Sequence, residues 1–517
     1  MPRKAKKTST AKRNGHELPL PQPQLQPPIP PTDSEIAVSN TAFILVGQVA
    51  TGILSLILIR VIALYMHQVG LGLYSTAIAI SAILMQVLDF GIPTYAVREI
   101  ARRKESANDF VSNIMGLRAV LSVGMVAGSA ALLLFFLSNS RITAETAGIM
   151  GLAVLATALS FLAEPLRAAL LAFEKHSYYS GIWIAERLIF ISFALTMLFL
   201  GKGLLMVMLG FAISALAALI INAAVVWKKF TRFSIRLDSK TWPKWADLIK
   251  KGAPFWLSAL FMTLLSKIDT PIISLIKGAA AAGIYSAASK IMDLFTLLPL
   301  TVSLAFYPTL SRLYKHNSKD ELTTLFKKAF YYLILIAIPM AVAFTLLSDR
   351  IIMFLGGSFS QAATVLQILA WAELFIFLNY LLSCMLNSID KQIIFTLSTG
   401  AYATLNILLN LMVIPKFGYI GAAFVALTTQ FMQTATLYYF CSKSGYGLNI
   451  PKLVFKPIVA TAAMGAAIIL LSHMHLLITA PLAAISYLAI LIALKGLTKE
   501  DFTIIKSLLA RVAKRKF

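Results

Sequence analysis

Twelve charged side chains sit inside stretches of this 517-residue chain that are otherwise apolar enough to cross a bilayer, and its chemistry must lie with them. Six are basic (Arg60, Arg118, Arg167, Arg187, Lys267, Lys290) and six are acidic (Asp89, Glu164, Glu186, Asp269, Asp293, Glu373). A charge near the bilayer centre costs about 2.5–3.5 kcal/mol, so the groups should face a wet interior or one another rather than lipid. A cleft lined by several guanidinium and ammonium groups would attract phosphate. The acids are then either partners of those cations or groups through which an ion is coupled to transport.

Spacing sorts these residues further. Glu164 with Arg167, and Lys290 with Asp293, stand three apart on one helical face and read as ion pairs. Lys267 and Asp269 are two apart and do not share a face, which leaves Lys267 free. Arg187 stands beside Glu186, and Arg118 lies near the cytoplasmic end of its helix. Arg60 has no acidic residue within a helical turn. Its partner is the outer headgroup layer, reached by snorkelling, or else another helix, water or an anionic substrate.

The elements that must position these groups are fourteen apolar stretches, each long enough to span a hydrocarbon core of about 30 Å as a helix. They run approximately over 40–65, 70–92, 111–137, 147–172, 179–200, 204–227, 252–275, 281–307, 328–348, 361–384, 392–414, 418–441, 454–472 and 476–495. A composition of 58% hydrophobic and 13% charged residues excludes a soluble protein of this length and predicts an all-α polytopic membrane protein. With the N-terminus inside, the outer turns hold only Arg141, Lys202, Lys277, Arg350 and Lys416, while thirty-five basic residues fall on the cytoplasmic side. This is the positive-inside rule, and it places both termini in the cytoplasm of a multi-pass protein of the cell membrane. The net charge of +24 is thus confined to one face, where anionic lipid is the expected partner and nucleic acid is not.

Residues 1–37 are basic and proline-rich and read as a disordered cytoplasmic tail. The lobes expected after it are 38–228 with six crossings, a basic linker 229–251, and 252–442 with six more, followed by two further helices in 443–496 and an amphipathic basic tail 497–517. An internal repeat supports the division. Gly72-Leu73-Tyr74-Ser75 at the start of the second crossing answers Gly283-Ile284-Tyr285-Ser286 at the start of the eighth, and Phe173-Glu174-Lys175 answers Ile389-Asp390-Lys391. Copies with an even number of crossings face the same way, related by an axis along the membrane normal with a cleft between them. Pro165, Pro271, Pro299 and Pro339 interrupt crossings and invite kinks. Asn406 and Asn410 form a polar face for interhelical contact or cleft lining. Cys384 and Cys441, the two cysteines, form no metal motif, and neither metal nor cofactor is expected.

Several runs resemble the polysaccharide and O-antigen flippases of the MOP superfamily. In the first half they are Leu58-Ile59-Arg60, Gly72-Leu73-Tyr74, Asp89-Phe90-Gly91-Ile92 and Arg98-Glu99-Ile100-Ala101-Arg102. The second half adds Lys267-Ile268-Asp269, Phe306-Tyr307-Pro308-Thr309-Leu310-Ser311-Arg312, and Asn406 to Asn410 followed by Pro415-Lys416-Phe417-Gly418. The resemblance implies two six-helix bundles in a pseudo-two-fold V around a central cavity that opens alternately to each side, with two extra C-terminal helices. It also implies a polyprenyl-pyrophosphate-linked oligosaccharide as substrate, moved without chemical change, with other polysaccharide-assembly proteins as partners. Arg60 matches the family's arginine of the first helix. Asp269 falls at the acidic position of the seventh, and Lys267 stands one residue from the commoner arginine. Two other functions remain open on residues alone: an ion-coupled exporter of small molecules, and a membrane enzyme of glycan assembly. The short outer turns offer the enzyme no acceptor site.

Overall fold

The computed structural model describes residues 33–237 and 242–497. Among them the regular structure is helical: α1 (Asp33–Asp89), α2 (Ile92–Arg102), α3 (Ala107–Ser138), α4 (Ala144–Ala172), α5 (His176–Phe199), α6 (Leu204–Lys229), α7 (Trp242–Lys267), α8 (Asp269–Lys277), α9 (Ala279–Phe295), α10 (Leu297–Lys315), α11 (Lys319–Met353), α12 (Ala362–Ser388), α13 (Gln392–Cys441), α14 (Ile450–Leu470) and α15 (Leu476–Ala493). Among the described residues eleven helical spans are long and apolar enough to cross a membrane, or twelve if the bent α7 is one span. The sequence expects fourteen crossings. α1 and α13, of 57 and 50 residues, each comprise two helices meeting at one non-helical residue, His67 (φ 52°, ψ −157°) and Gly418 (φ 59°, ψ −144°).

Proline explains two further breaks. Pro271 has no amide proton to give the carbonyl of Lys267, and α7 passes into α8 at Ile268. Pro299 likewise leaves the carbonyl of Phe295 without its donor, and α9 passes into α10 at Thr296. Pro165 and Pro339, which the sequence marks equally, lie inside the unbroken α4 and α11. A proline removes one hydrogen bond, and whether the helix parts depends on what packs around it.

The segment expected as a linker over 229–251 is partly helical. α7 begins at Trp242 and bends by 61° between Ala253 and Phe255. Its first part is amphipathic, with Trp245 and Leu248 buried at i, i+3 and Lys244, Lys250 and Lys251 exposed. The tail from Thr498 and residues 1–32 lie outside the described residues.

The largest buried cluster joins helices from both ends of the chain: Leu58, Ile62 and Tyr74 of α1, Phe190 of α5, Ile273 of α8, Tyr285 of α9 and Leu366 of α12. α14 and α15 pack outside it against α11, through Leu335, Leu347, Met464, Ile468 and Tyr487. Tyr487 donates to the carbonyl of Leu335 at 2.8 Å, so its hydroxyl is satisfied within this satellite core.

Candidate functional site

Two cavities meet among the broken helices. One, of about 300 Å³, lies between α1, α5, α9 and α10. Gln48, Thr51 and Ser55 line it from one face of α1, at helical spacing, with Trp183 and Arg187 from α5 and Lys290 and Asp293 from α9. The other, of about 470 Å³, is enclosed by α7 to α10, α12 and α13, and shares Asp293 and Leu297 with the first.

Asp293 ties the junction together. Its Oδ2 accepts from Lys267 Nζ at 3.3 Å and from Lys290 Nζ at 3.1 Å. The second pair is the i, i+3 contact the sequence predicts. The first corrects the expectation that Lys267 is free, because α9 brings a carboxylate to it from 26 residues away. Arg187 donates to Ser55 Oγ through Nε at 3.2 Å and Nη2 at 2.7 Å, and lies 5.8 Å from the Phe190 ring centroid.

The larger cavity is walled by acids and amides. Glu373 accepts from the hydroxyl of Thr296 at 2.8 Å, at the break that Pro299 makes. Asp269, the first residue of α8, accepts from Tyr285 at 2.6 Å and from Asn410 Nδ2 at 2.8 Å. Asn410 also donates to Asn406 Oδ1 at 3.0 Å, so the pair joins α13 to α8. Opposite, Asn379 donates to Gln430 Oε1 at 2.8 Å, and Gln433 donates to Thr399 at 3.1 Å. Arg187, Lys290 and Asp293 thus line the smaller cavity, and Lys267, Asp269, Asp293 and Glu373 the larger.

The structure places the other expected residues elsewhere. Arg118 is fully buried against Asp89 at 2.6 Å, 3.8 Å from the Phe161 ring centroid. Arg167 is clamped between Glu164 at 3.0 Å and Glu186 at 2.7 Å, so Glu186 serves Arg167 rather than its neighbour Arg187. None of these five residues lines either cavity. Arg60 is exposed and stacks 3.9 Å from the Phe354 ring centroid. Arg118 and Arg167 offset the cost of burial through their carboxylates, which leaves them no free charge to present to a ligand, whereas the exposed Arg60 has only a ring as partner.

A sequence model of the polysaccharide biosynthesis protein family matches residues 37–314, more than half of the chain. The chain belongs to this family. The match confirms the membership that Leu58-Ile59-Arg60, Asp89-Phe90-Gly91 and their companions imply. The family of MatE proteins matches residues 254–412. The chain is similar to a probable flippase, AglR, of Haloferax volcanii, with 31% identity over 179 residues, 34% of this chain and 37% of the relative. It is also similar to a probable low-salt glycan biosynthesis flippase of the same organism, with 23% identity over 241 residues, 46% of this chain and 51% of the relative. These alignments span between about a third and about half of the curated relatives' own lengths. Among solved structures, a lipid II flippase, MurJ, in an inward closed conformation superimposes with a TM-score of 0.69 at 18% identity, covering 88% of this chain and 98% of that one. The fold is therefore shared over almost the whole of that solved chain.

In this family member the lining includes residues that a search for charge passes over, among them Ser55, Trp183, Thr296, Asn379, Tyr380, Gln430 and Gln433. Asn379, Gln430 and Gln433 carried a usable signal, since an amide in a crossing must find a partner or a wet cavity.

Proposed function

We propose that the protein is a flippase that carries a polyprenyl-pyrophosphate-linked oligosaccharide from the cytoplasmic to the outer leaflet by alternating access, a transporter rather than an enzyme. The observation that carries this reading is the junction of the two cavities, where Lys267 and Lys290 pair with the single carboxylate of Asp293 and Arg187 lines the same cavity as Lys290. Two negative phosphates there would meet three cations and compete with Asp293 for two of them. The flippase names of the relatives and the likeness to the lipid II flippase fold point the same way.

In this scheme the chain crosses fourteen times, as two six-helix bundles and two added helices, reversing direction at His67 and Gly418. Both termini lie in the cytoplasm, where Lys244, Lys250 and Lys251 meet anionic lipid. Arg60 works at the outer headgroup level during release. Arg118 and Arg167 act through their ion pairs by holding the first bundle together. Asp269 and Glu373 are the carboxylates proposed to couple an ion. Proteins that build or polymerise the glycan would be the partners on either face.

The test is flipping in reconstituted vesicles, read as exposure of the glycan to a membrane-impermeant lectin. Arg187→Ala with Lys290→Ala should slow exposure by about tenfold or more, the loss of one charge-assisted contact or more, at unchanged protein content. An undiminished rate removes the assignment. A second reading, an ion-coupled exporter of small molecules, is favoured by the MatE match over residues that include Asp269, Asp293 and Glu373. It requires vesicle uptake of a cationic dye, which the flippase reading does not.

A further inference from the structure

We propose that the larger cavity holds the sugar attached to the pyrophosphate, and that it selects an uncharged sugar over an acidic one. The inference rests on the flippase reading and adds to it a subsite and the chemical class that fills it.

The two cavities differ in kind. Cations gather at the junction, where Lys267 and Lys290 share Asp293 and Arg187 faces them from α5. A pyrophosphate bound there directs the group it carries through the shared boundary at Asp293 and Leu297 into the larger space. Apart from Glu373, the lining that α12 and α13 contribute carries no carboxylate and no basic residue and includes Asn379, Tyr380, Gln430 and Gln433.

These amides are fixed in place. Asn379 donates to Gln430 Oε1 at 2.8 Å and accepts from Thr434 at 2.9 Å, while Gln433 donates to Thr399 at 3.1 Å. Helix-to-helix adhesion alone would use up their hydrogen-bonding capacity. Instead, among the described residues, the side-chain amide nitrogen of Gln430 and the hydroxyl of Tyr380 make no hydrogen bond, although both residues line the cavity. An amide donor and a phenol that both donates and accepts suit hydroxyl and N-acetyl groups, which also do both. The rings of Tyr380 and Phe395 offer apolar faces beside them, the mixture usual for a small-ligand pocket. The space of about 470 Å³ is that of a small ligand, so it accommodates the proximal sugar region rather than a long glycan.

Charge decides the preference. The one basic residue lining this cavity is Lys267, already paired with Asp293, and the other ionisable carboxylates on its wall are Asp269 and Glu373. A sugar carboxylate would be desolvated beside Asp269 and Glu373 with no cation left to meet it, so its lost hydration would go uncompensated.

The test uses the purified full-length chain in lipid nanodiscs, titrated calorimetrically with three lipids of one short polyprenyl length. One ends in pyrophosphate, one in pyrophosphate joined to N-acetylglucosamine, and one in pyrophosphate joined to glucuronic acid. The neutral sugar should tighten binding by about tenfold over pyrophosphate alone, the worth of one well-made hydrogen bond or slightly more, and the acidic sugar should give no gain. Gln430→Ala with Tyr380→Phe should remove the gain while leaving affinity for the bare pyrophosphate lipid as it was. Tyr380→Phe alone, a change of one hydroxyl, should reduce the gain and guards against misfolding of the double variant. Equal affinity for neutral and acidic sugars, or an undiminished gain in both variants, overturns the subsite. If the bare pyrophosphate lipid does not bind at all, the flippase reading itself fails and the subsite falls with it.

Discussion

Gly72 and Gly283 pack backbone against backbone across the two halves of the chain. A Cβ on Gly72 would overlap the carbonyl of Ala279, and one on Gly283 would overlap the carbonyl of Gln68. The contact is reciprocal: residues 68 and 72 meet 279 and 283, and the two members of each pair have the same spacing in the sequence. Such a pattern is what a local two-fold axis produces, and it falls on the repeated Gly-x-Tyr-Ser strings. A second close approach joins Gly91 to Gly252, where a Cβ on Gly91 would overlap the carbonyl of Gly252 and one on Gly252 the carbonyl of Phe90.

Replacing either helical glycine should therefore hold the halves apart at that end. Gly72→Val and Gly283→Val are expected to lower flipping by about tenfold or more while the protein still inserts, because the side that must seal no longer closes. A disulfide between Gln68→Cys and Ala279→Cys should form readily in the sealed state and stop transport until reduced. Full transport by the cross-linked protein would show that this contact does not open during the cycle.

The junction lysines should depend on each other through Asp293. In a double-mutant cycle of Lys267→Ala and Asp293→Ala, read as affinity for a polyprenyl pyrophosphate, the coupling should be about 0.5–3 kcal/mol, the range for residues in one charge network. Independent effects of the two changes would mean that the carboxylate and the lysine do not share the ligand site.

The buried Arg118–Asp89 pair should behave as a structural element. Asp89→Ala leaves the guanidinium, fully buried, without its carboxylate, and removing one member of such a pair costs about 3–5 kcal/mol. The melting temperature in detergent should fall markedly, while affinity for the pyrophosphate lipid, measured below the transition, should stay as it was. A large loss of affinity in a well-folded variant would place the pair in the transport path.

The break at Thr296 offers a further check. Pro299→Ala restores a donor for the carbonyl of Phe295 and removes a residue that disfavours helix interiors by about 3 kcal/mol. The expected result is a protein of equal or higher melting temperature with reduced flipping, since a continuous helix would withdraw Thr296 from Glu373. Unchanged flipping would make the break incidental.

That this is a helical membrane protein of the polysaccharide biosynthesis family was legible in the chain alone, because the length of apolar runs and the order of short motifs are one-dimensional signals. The sequence also foresaw the pairs Glu164–Arg167 and Lys290–Asp293, whose partners lie one helical turn apart. The three-dimensional packing alone brings Lys267 to Asp293, turns Glu186 to Arg167, buries Arg118 on Asp89, and sets amides of α12 and α13 into the same cavity as Lys267. Each of these depends on which helix faces which. Inside a membrane that choice is set by close packing of side chains and by polar groups finding partners across helices, and neither leaves a mark at fixed spacing in a single chain.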